Sequence, residues 1–236
     1  MKEKEMFFFI ADISGYTSHM LTNNTACEHA KISISLLIET LIKQIRIPLE
    51  IAKLEGDAIF LYLEHQLEDR LWLAKKIFTF FKAFERKVHE LKLSTVCQCG
   101  GCQNIEKLQL KVIAHYGNAS LHKIGKFKEL AGVDIIILHR LLKNHVPEER
   151  YFLLTEAAYH HMLVPEDVKV SKMREIYEDI GTIPIYVCDP PRISEVDLPA
   201  ITTPLLKFKH WLLLHFGKKR PGHYRNLPDS VKELQK

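Results

Sequence analysis

Six consecutive apolar residues, Met6-Phe7-Phe8-Phe9-Ile10-Ala11, run straight into Asp12. A stretch this short and aromatic, lacking the three-to-four-residue spacing of an amphipathic helix, suits a strand buried on both faces. A strand of that kind needs neighbours on each side and a covering layer, so the chain must build a layered sheet. Ser14-Gly15 then turns the chain. With 236 residues, 47% of them hydrophobic, there is material for one sizeable core. The run meets Asp12 too early for a signal peptide and has no small-residue cleavage site. Neither WLLLHF nor DIIIL approaches the ~18–20 residues that cross a bilayer, so a cytoplasmic location is expected.

The remaining pattern sets an element order. Ile32, Leu36, Leu37, Leu41 and Ile45 recur at helical spacing and predict a helix within 23–46, ended before Pro48. LEIAKL and AIFLYLE read as two strands joined through Glu55-Gly56-Asp57, which puts Asp57 at a hairpin tip. Residues 68–92 carry Leu71, Ala74, Ile77, Phe78, Phe81, Phe84 and Val88 on a helical period without Gly or Pro. LQLKVIAHYG alternates as a strand, and NASLHKI reads as its antiparallel return. Gly132 opens a helix, VDIIILHRLLKN, and EIYEDIGTIPIYVC reads as a hairpin around Gly181 before Pro190-Pro191. The sum is an α+β, ferredoxin-like split βαβ (β-α-β-β-α-β) with extra C-terminal elements and helices on one face of an antiparallel sheet. Fold alone does not decide chemistry.

Charge and cysteines narrow the partners. A formal charge of +4 without a Lys/Arg block argues against a nucleic-acid partner. An odd number of cysteines, five, argues against a disulfide framework. Three of them, Cys97, Cys99 and Cys102, cluster where they could hold a soft metal such as Zn²⁺, with His89, Cys27 or a second copy as fourth ligand. A reduced loop is the favoured reading. Residues 191–236 form a basic C-terminal extension, expected to be helical in part. Leu205, Phe208, Trp211, Leu212 and Phe216 fall on one face beside Lys207, Lys209, Lys218, Lys219 and Arg220. Such a helix can touch an anionic membrane surface, but packing onto the domain or a second copy is favoured.

In the split βαβ layout the strand ending at Asp12 neighbours the hairpin carrying Asp57, so two carboxylates converge at one sheet end. Such a pair supplies the hard oxygen ligands that Mg²⁺ prefers and that two-metal phosphoryl chemistry uses. The turn Ile13-Ser14-Gly15-Tyr16-Thr17 can wrap phosphate oxygens with backbone N–H groups. Taken singly, Asp12 is a turn cap and Asp57 a hairpin residue. Taken together, the ligand reading is the better one.

These residues also carry a resemblance. FFFIADISGYT resembles the opening F-x-D-I-x-G-[FY]-T segment of class III adenylate and guanylate cyclases. Lys53-Leu54-Glu55-Gly56-Asp57 is similar to that family's K-x-x-G-D, and His115-Tyr116-Gly117 to H-x-G. Gly132 to Arg140 aligns without gaps to G-x-x-V-N-x-A-x-R. The likeness spans about residues 6–188, within a domain expected to occupy 1–190.

The resemblance implies that Asp12, the carbonyl of Ile13 and Asp57 hold two Mg²⁺ or Mn²⁺ ions under a nucleoside triphosphate, most simply ATP. Ser14, Gly15, Tyr16 and Thr17 would bind phosphates, Lys53 and Glu129 would select the base, and Arg140 would offset transition-state charge. It further implies a head-to-tail homodimer and conversion of the triphosphate to a 3′,5′-cyclic nucleotide and pyrophosphate. Two positions depart from the family: Ile136 stands where a ribose-orienting Asn is expected and Ile180 where a phosphate-binding Lys is expected. Neither can donate a side-chain hydrogen bond. The alternative is a catalytically lapsed signalling module that binds nucleotide or a protein partner. A metal-dependent phosphohydrolase or diguanylate-type transferase is a third reading, and the transferase lacks its G-G-[DE]-E-F turn at 54–58.

Overall fold

The computed structural model describes residues 3–21, 28–46, 48–64, 70–94, 100–125 and 127–194, together with Phe208 and Leu212. The apolar run lies in β1 (Lys4–Ser14), where residues 6–11 are all buried, as a strand covered on both faces requires. After α1 (Tyr16–Leu21) and α2 (Glu28–Ile42), the hairpin of β2 (Glu50–Glu55) and β3 (Ala58–Glu64) turns at Gly56, whose φ of 66° is the left-handed conformation a short hairpin asks of glycine. The 25-residue α3 (Arg70–Ser94) follows, its aromatic stripe of Phe78, Phe81 and Phe84 turned inward. Next come the single turn α4 (Gly100–Gln103) and the long β4 (Gln109–Ile124).

The strands are ordered β2-β3-β1-β4, with β1 antiparallel to both neighbours, which is the split βαβ arrangement expected. Beyond β4 the sheet continues through β6 (Tyr151–Thr155), β8 (Gly181–Cys188) and β7 (Val170–Tyr177), while β5 (Phe127–Ala131) pairs the far half of β4. The alternating residues of β1 feed two cores. Phe7, Phe9, Ala11 and Ile13 pack with α2 and α3, and Met6, Phe8 and Ile10 face Ile135, Leu138 and Leu141 of α5 (Val133–Arg140) and the 3₁₀ turn that extends it.

The helix expected within 23–46 is α2, ended before Pro48, with the unanticipated α1 preceding it and residues 22–27 outside the described set. Three other sequence expectations change. NASLHKI is not a returning strand but the second half of β4, and the reversal comes at Gly125, where Ile124 pairs with Phe127. Gly117, after which the return was expected, serves a close approach to Asp134 instead. The helices are not confined to one face, since α5 covers the other. Finally β6, parallel to β4, and α6 (Glu156–His161) were not anticipated, because YFLLT is a five-residue apolar run without alternation.

Candidate active site

The pleat of β1 points Asp12 to the α5 side, in step with Ile10 and Phe8. Asp12 pairs across to Ala58, the residue after Asp57, so the hairpin tip brings the second acid to the end of β1. The two carboxyl groups interact directly. Burial, then the neighbouring Asp12 charge, push Asp57 up to about 6. Two neighbouring carboxylates are suitable donors for Mg²⁺ or Mn²⁺. Ile13, whose carbonyl is the third expected oxygen, is buried and paired with Leu110. Side chains alone do not complete a cage: no cluster of three or more His, Cys, Asp or Glu suited to a metal exists among the described residues.

A residue that sequence reasoning passed over stands at the centre. Lys111 of β4 lies opposite Asp12 in the β1–β4 register, and its Nζ is 3.0 Å from Asp12 Oδ2. The 3₁₀ turn closing α5 places the Leu142 carbonyl 3.4 Å from the same Nζ. His139 was also missed. Its Nδ1 is 3.8 Å from a Glu55 oxygen and its ring meets Phe60 edge-on, so it borders the hairpin that presents Asp57.

The other expected residues are spread more widely. Ser14 ends β1, Gly15 turns the chain, and Tyr16 and Thr17 open α1, so this segment directly follows Asp12 in the chain. Lys53 is exposed and 3.6 Å from Glu55. Glu129 is on β5, an element that approaches β2. Arg140 is exposed and ion-paired with Asp179 in the β7–β8 turn, which is the bland role for a surface arginine rather than a place beside the acids. Ile136 is 53% exposed, and Ile180 is half-buried in the turn holding Asp179. Of the cysteine cluster, Cys102 is buried and unbridged, and Cys97 and Cys99 lie outside the described residues. The C-terminal extension, apart from residues 191–194, Phe208 and Leu212, lies outside them too. A cavity of about 400 Å³ opens at the same sheet end beside Arg150, Tyr151, Lys169 and Arg192, and neither acid lines it.

A buried relay fixes α5 over the site. Burial lowers the His115 pKa below its usual value even though Asp134 opposes the shift. The neutral ring then donates from Nε2 to Asp134 Oδ1 at 2.9 Å and accepts at Nδ1 from the Thr155 hydroxyl at 2.8 Å. Thr155 in turn accepts the Ala158 N–H and caps α6. Asp134 also accepts the Asn118 N–H at 2.6 Å, lying so close over Gly117 that a Cβ there would fall 2.3 Å from its Cγ. Gly117→Ala must therefore break both Asp134 bonds, an expected loss of about 2 kcal/mol. Thermal unfolding will show it, and Gly117→Ala placed in an Asp134→Ala background should cost much less.

A family model described as "Protein of unknown function (DUF2652)" matches residues 34–151. "Uncharacterized protein Rv2561/Rv2562" of Mycobacterium tuberculosis is 32% identical over 196 residues, covering 78% of this chain and 91% of that protein. Among solved structures, the guanylyl cyclase Cya2 superposes with a TM-score of 0.60 at 12% identity, over 82% of this chain and 95% of that one. The adenylyl cyclase CyaB from P. aeruginosa does so with a TM-score of 0.58 at 13% identity, over 81% and 96%. At such identities the likeness establishes a cyclase-type fold and leaves the chemistry to the site.

Proposed function

The chain belongs to the DUF2652 family and carries the fold of nucleotidyl cyclases, and we propose that it binds a nucleoside triphosphate through a divalent cation at Asp12 and Asp57 and converts it to a 3′,5′-cyclic nucleotide. One observation carries this reading: the two acids meet at the end of β1 on the α5 face, with Asp57 raised to about 6. Bound there, Mg²⁺ or Mn²⁺ would polarise the ribose 3′ oxygen and the departing phosphates. In the balanced step the 3′ oxygen attacks the α-phosphorus, the α–β bridging P–O bond breaks, pyrophosphate leaves and the hydroxyl proton passes to solvent. The Ser14–Thr17 turn would orient the phosphates, and Lys53 and Glu129 would contact the base.

Arg140, exposed and paired with Asp179 away from the acids of its own chain, would leave that pair to serve the acids of a second copy. Val133 and Ile136 on α5, 70% and 53% exposed, and Ile124 at the tip of β4, 65% exposed, offer the apolar surface for that pairing. A second reading, a cyclase-like module that binds nucleotide without turnover, draws on Ile136, which leaves the ribose without a hydrogen-bond donor at that position.

Purified chain incubated with ATP or GTP and Mn²⁺ is expected to yield cyclic nucleotide and pyrophosphate in equal amounts by mass spectrometry. Mixing two inactive variants, Asp57→Asn and Arg140→Ala, should restore about a quarter of the wild-type rate, since half the random dimers then hold one intact site. Triphosphate binding with no cyclic product would leave the second reading standing.

A further inference from the structure

The position of Lys111 bears on how many cations the acid pair takes. It faces Asp12 directly across β1 and β4, on the same side of the pleat, with its Nζ 3.0 Å from Asp12 Oδ2 and its side chain only 18% exposed. The ammonium is held from a second direction by the Leu142 carbonyl at 3.4 Å. Tyr151, opposite Lys111 in the β4–β6 register, is itself buried and accepts a 2.7 Å hydrogen bond from Asn144. Walled by β1, the turn after α5 and Tyr151, the lysine has little room to swing out to solvent.

That geometry changes the coordination chemistry open to Asp12. In a two-metal site the ions sit roughly 3.5–4 Å apart and share a bridging carboxylate, one ion to each oxygen. Here Oδ2 of Asp12 is already taken by an ammonium. Its other oxygen can join Asp57 around one dication, and a second dication would have to sit against the positive charge of Lys111. The charge count agrees. Asp12, Asp57 and Lys111 sum to minus one, which one dication reverses, whereas two dications would leave a net of plus three beneath the nucleotide.

We propose that Lys111 is a resident cation standing in for one of the two metal ions, so that the acid pair binds a single divalent ion together with the triphosphate. Resting on the nucleotide-binding reading above, this assigns Lys111 a direct part in holding Asp12 and neutralising the phosphates. A fixed ammonium also needs no free metal, so nucleotide affinity should depend on Mn²⁺ to the first power.

The test is a count of bound Mn²⁺, read from the electron paramagnetic resonance of free Mn²⁺. The full chain is saturated with 3′-deoxy-ATP, which lacks the attacking hydroxyl. Wild type and Lys111→Arg are expected to hold one Mn²⁺ per chain. Lys111→Met, which keeps the length and loses the charge, is expected to hold two, with Mn²⁺ affinity in the absence of nucleotide raised about tenfold, as removal of an adjacent like charge would do. Two ions in wild type, or one in both wild type and Lys111→Met, overturns the proposal while leaving the nucleotide reading intact. No specific Mn²⁺ in either protein overturns both. If Lys111→Met folds poorly, Lys111→Gln takes its place and is likewise expected to hold two.

Discussion

Asp57→Asn is expected to abolish metal-dependent triphosphate binding and, at the same time, to make the protein more stable at pH 8. Losing a mere supporting partner of a metal ligand costs 10–100-fold in affinity, so losing a ligand carboxylate should weaken Mn²⁺-dependent binding by more than about 100-fold. The stability gain follows from linkage. Asp57 has its carboxyl raised from 3.8 to about 6 in the folded chain, so the native state holds this proton more tightly than the unfolded state does. Stability from that group is therefore full below pH 4 and is lost as pH rises through 6. The gap corresponds to at most about 3 kcal/mol, and solvent screening of a half-exposed group reduces it to about 1 kcal/mol. The uncharged variant escapes this penalty, and its Tm at pH 8 should exceed wild type by about 2–4 °C, with the difference vanishing near pH 4. Calorimetry at the two pH values, with isothermal titration of nucleotide, measures both halves. A variant that still binds Mn²⁺-nucleotide at wild-type strength would remove Asp57 from the site.

Glu85→Ala is expected to be the most destabilising of the single changes considered. Arg150, whose side chain is 5% exposed, has its Nε 2.6 Å from Glu85 Oε1. Its other nitrogens donate to Asp189 and to the carbonyls of Pro190 and Pro191, and its guanidinium lies over the Phe81 ring. Burial pulls its pKa down despite Glu85, which signals how much the charge depends on its partners. Glu85 also accepts the Ile193 N–H at 2.9 Å, so this one carboxylate anchors both the arginine and the strand exit. Removing one partner of a buried ion pair typically costs 3–5 kcal/mol, and the remaining contacts to Arg150 put this case at about 3 kcal/mol. For a chain of this size that lowers Tm by about 6–12 °C. Replacing both ends, Glu85→Leu with Arg150→Met, should cost less than Glu85→Ala alone, because no buried charge is left without its partner. A Tm within 1 °C of wild type for Glu85→Ala would show that the pair contributes nothing.

What the sequence disclosed depended on the range of the interactions involved. The buried strand at 6–11, the Gly56 hairpin and α3 are governed by local periodicity and turn chemistry, which a sequence displays directly. The meeting of Asp12 and Asp57 was inferable because the hairpin tip neighbours β1 in the split βαβ layout. Lys111 was not, since alternation in LQLKVIA marks its face but only the register reveals Asp12 opposite it. Arg150 and Glu85 are far apart in sequence and meet only because β6 inserts beside β4, a strand too short to announce itself. Arg140 shows another limit: a motif position gives residue type and spacing, but not that Asp179 would be within reach.

The anchoring of residues 189–193 also sets where attachments can go. β8 and β1 end at the same margin of the sheet, but Glu85 of α3 holds Ile193 on the face opposite Asp12, so an attachment at Ile193 keeps the sheet between itself and the acids. Lys4 opens β1 at the opposite margin, eight residues from Asp12, a separation of roughly 27 Å along a strand. Tethering the protein to a sensor surface from the Lys4 side would leave the Asp12 end of the strand facing solution.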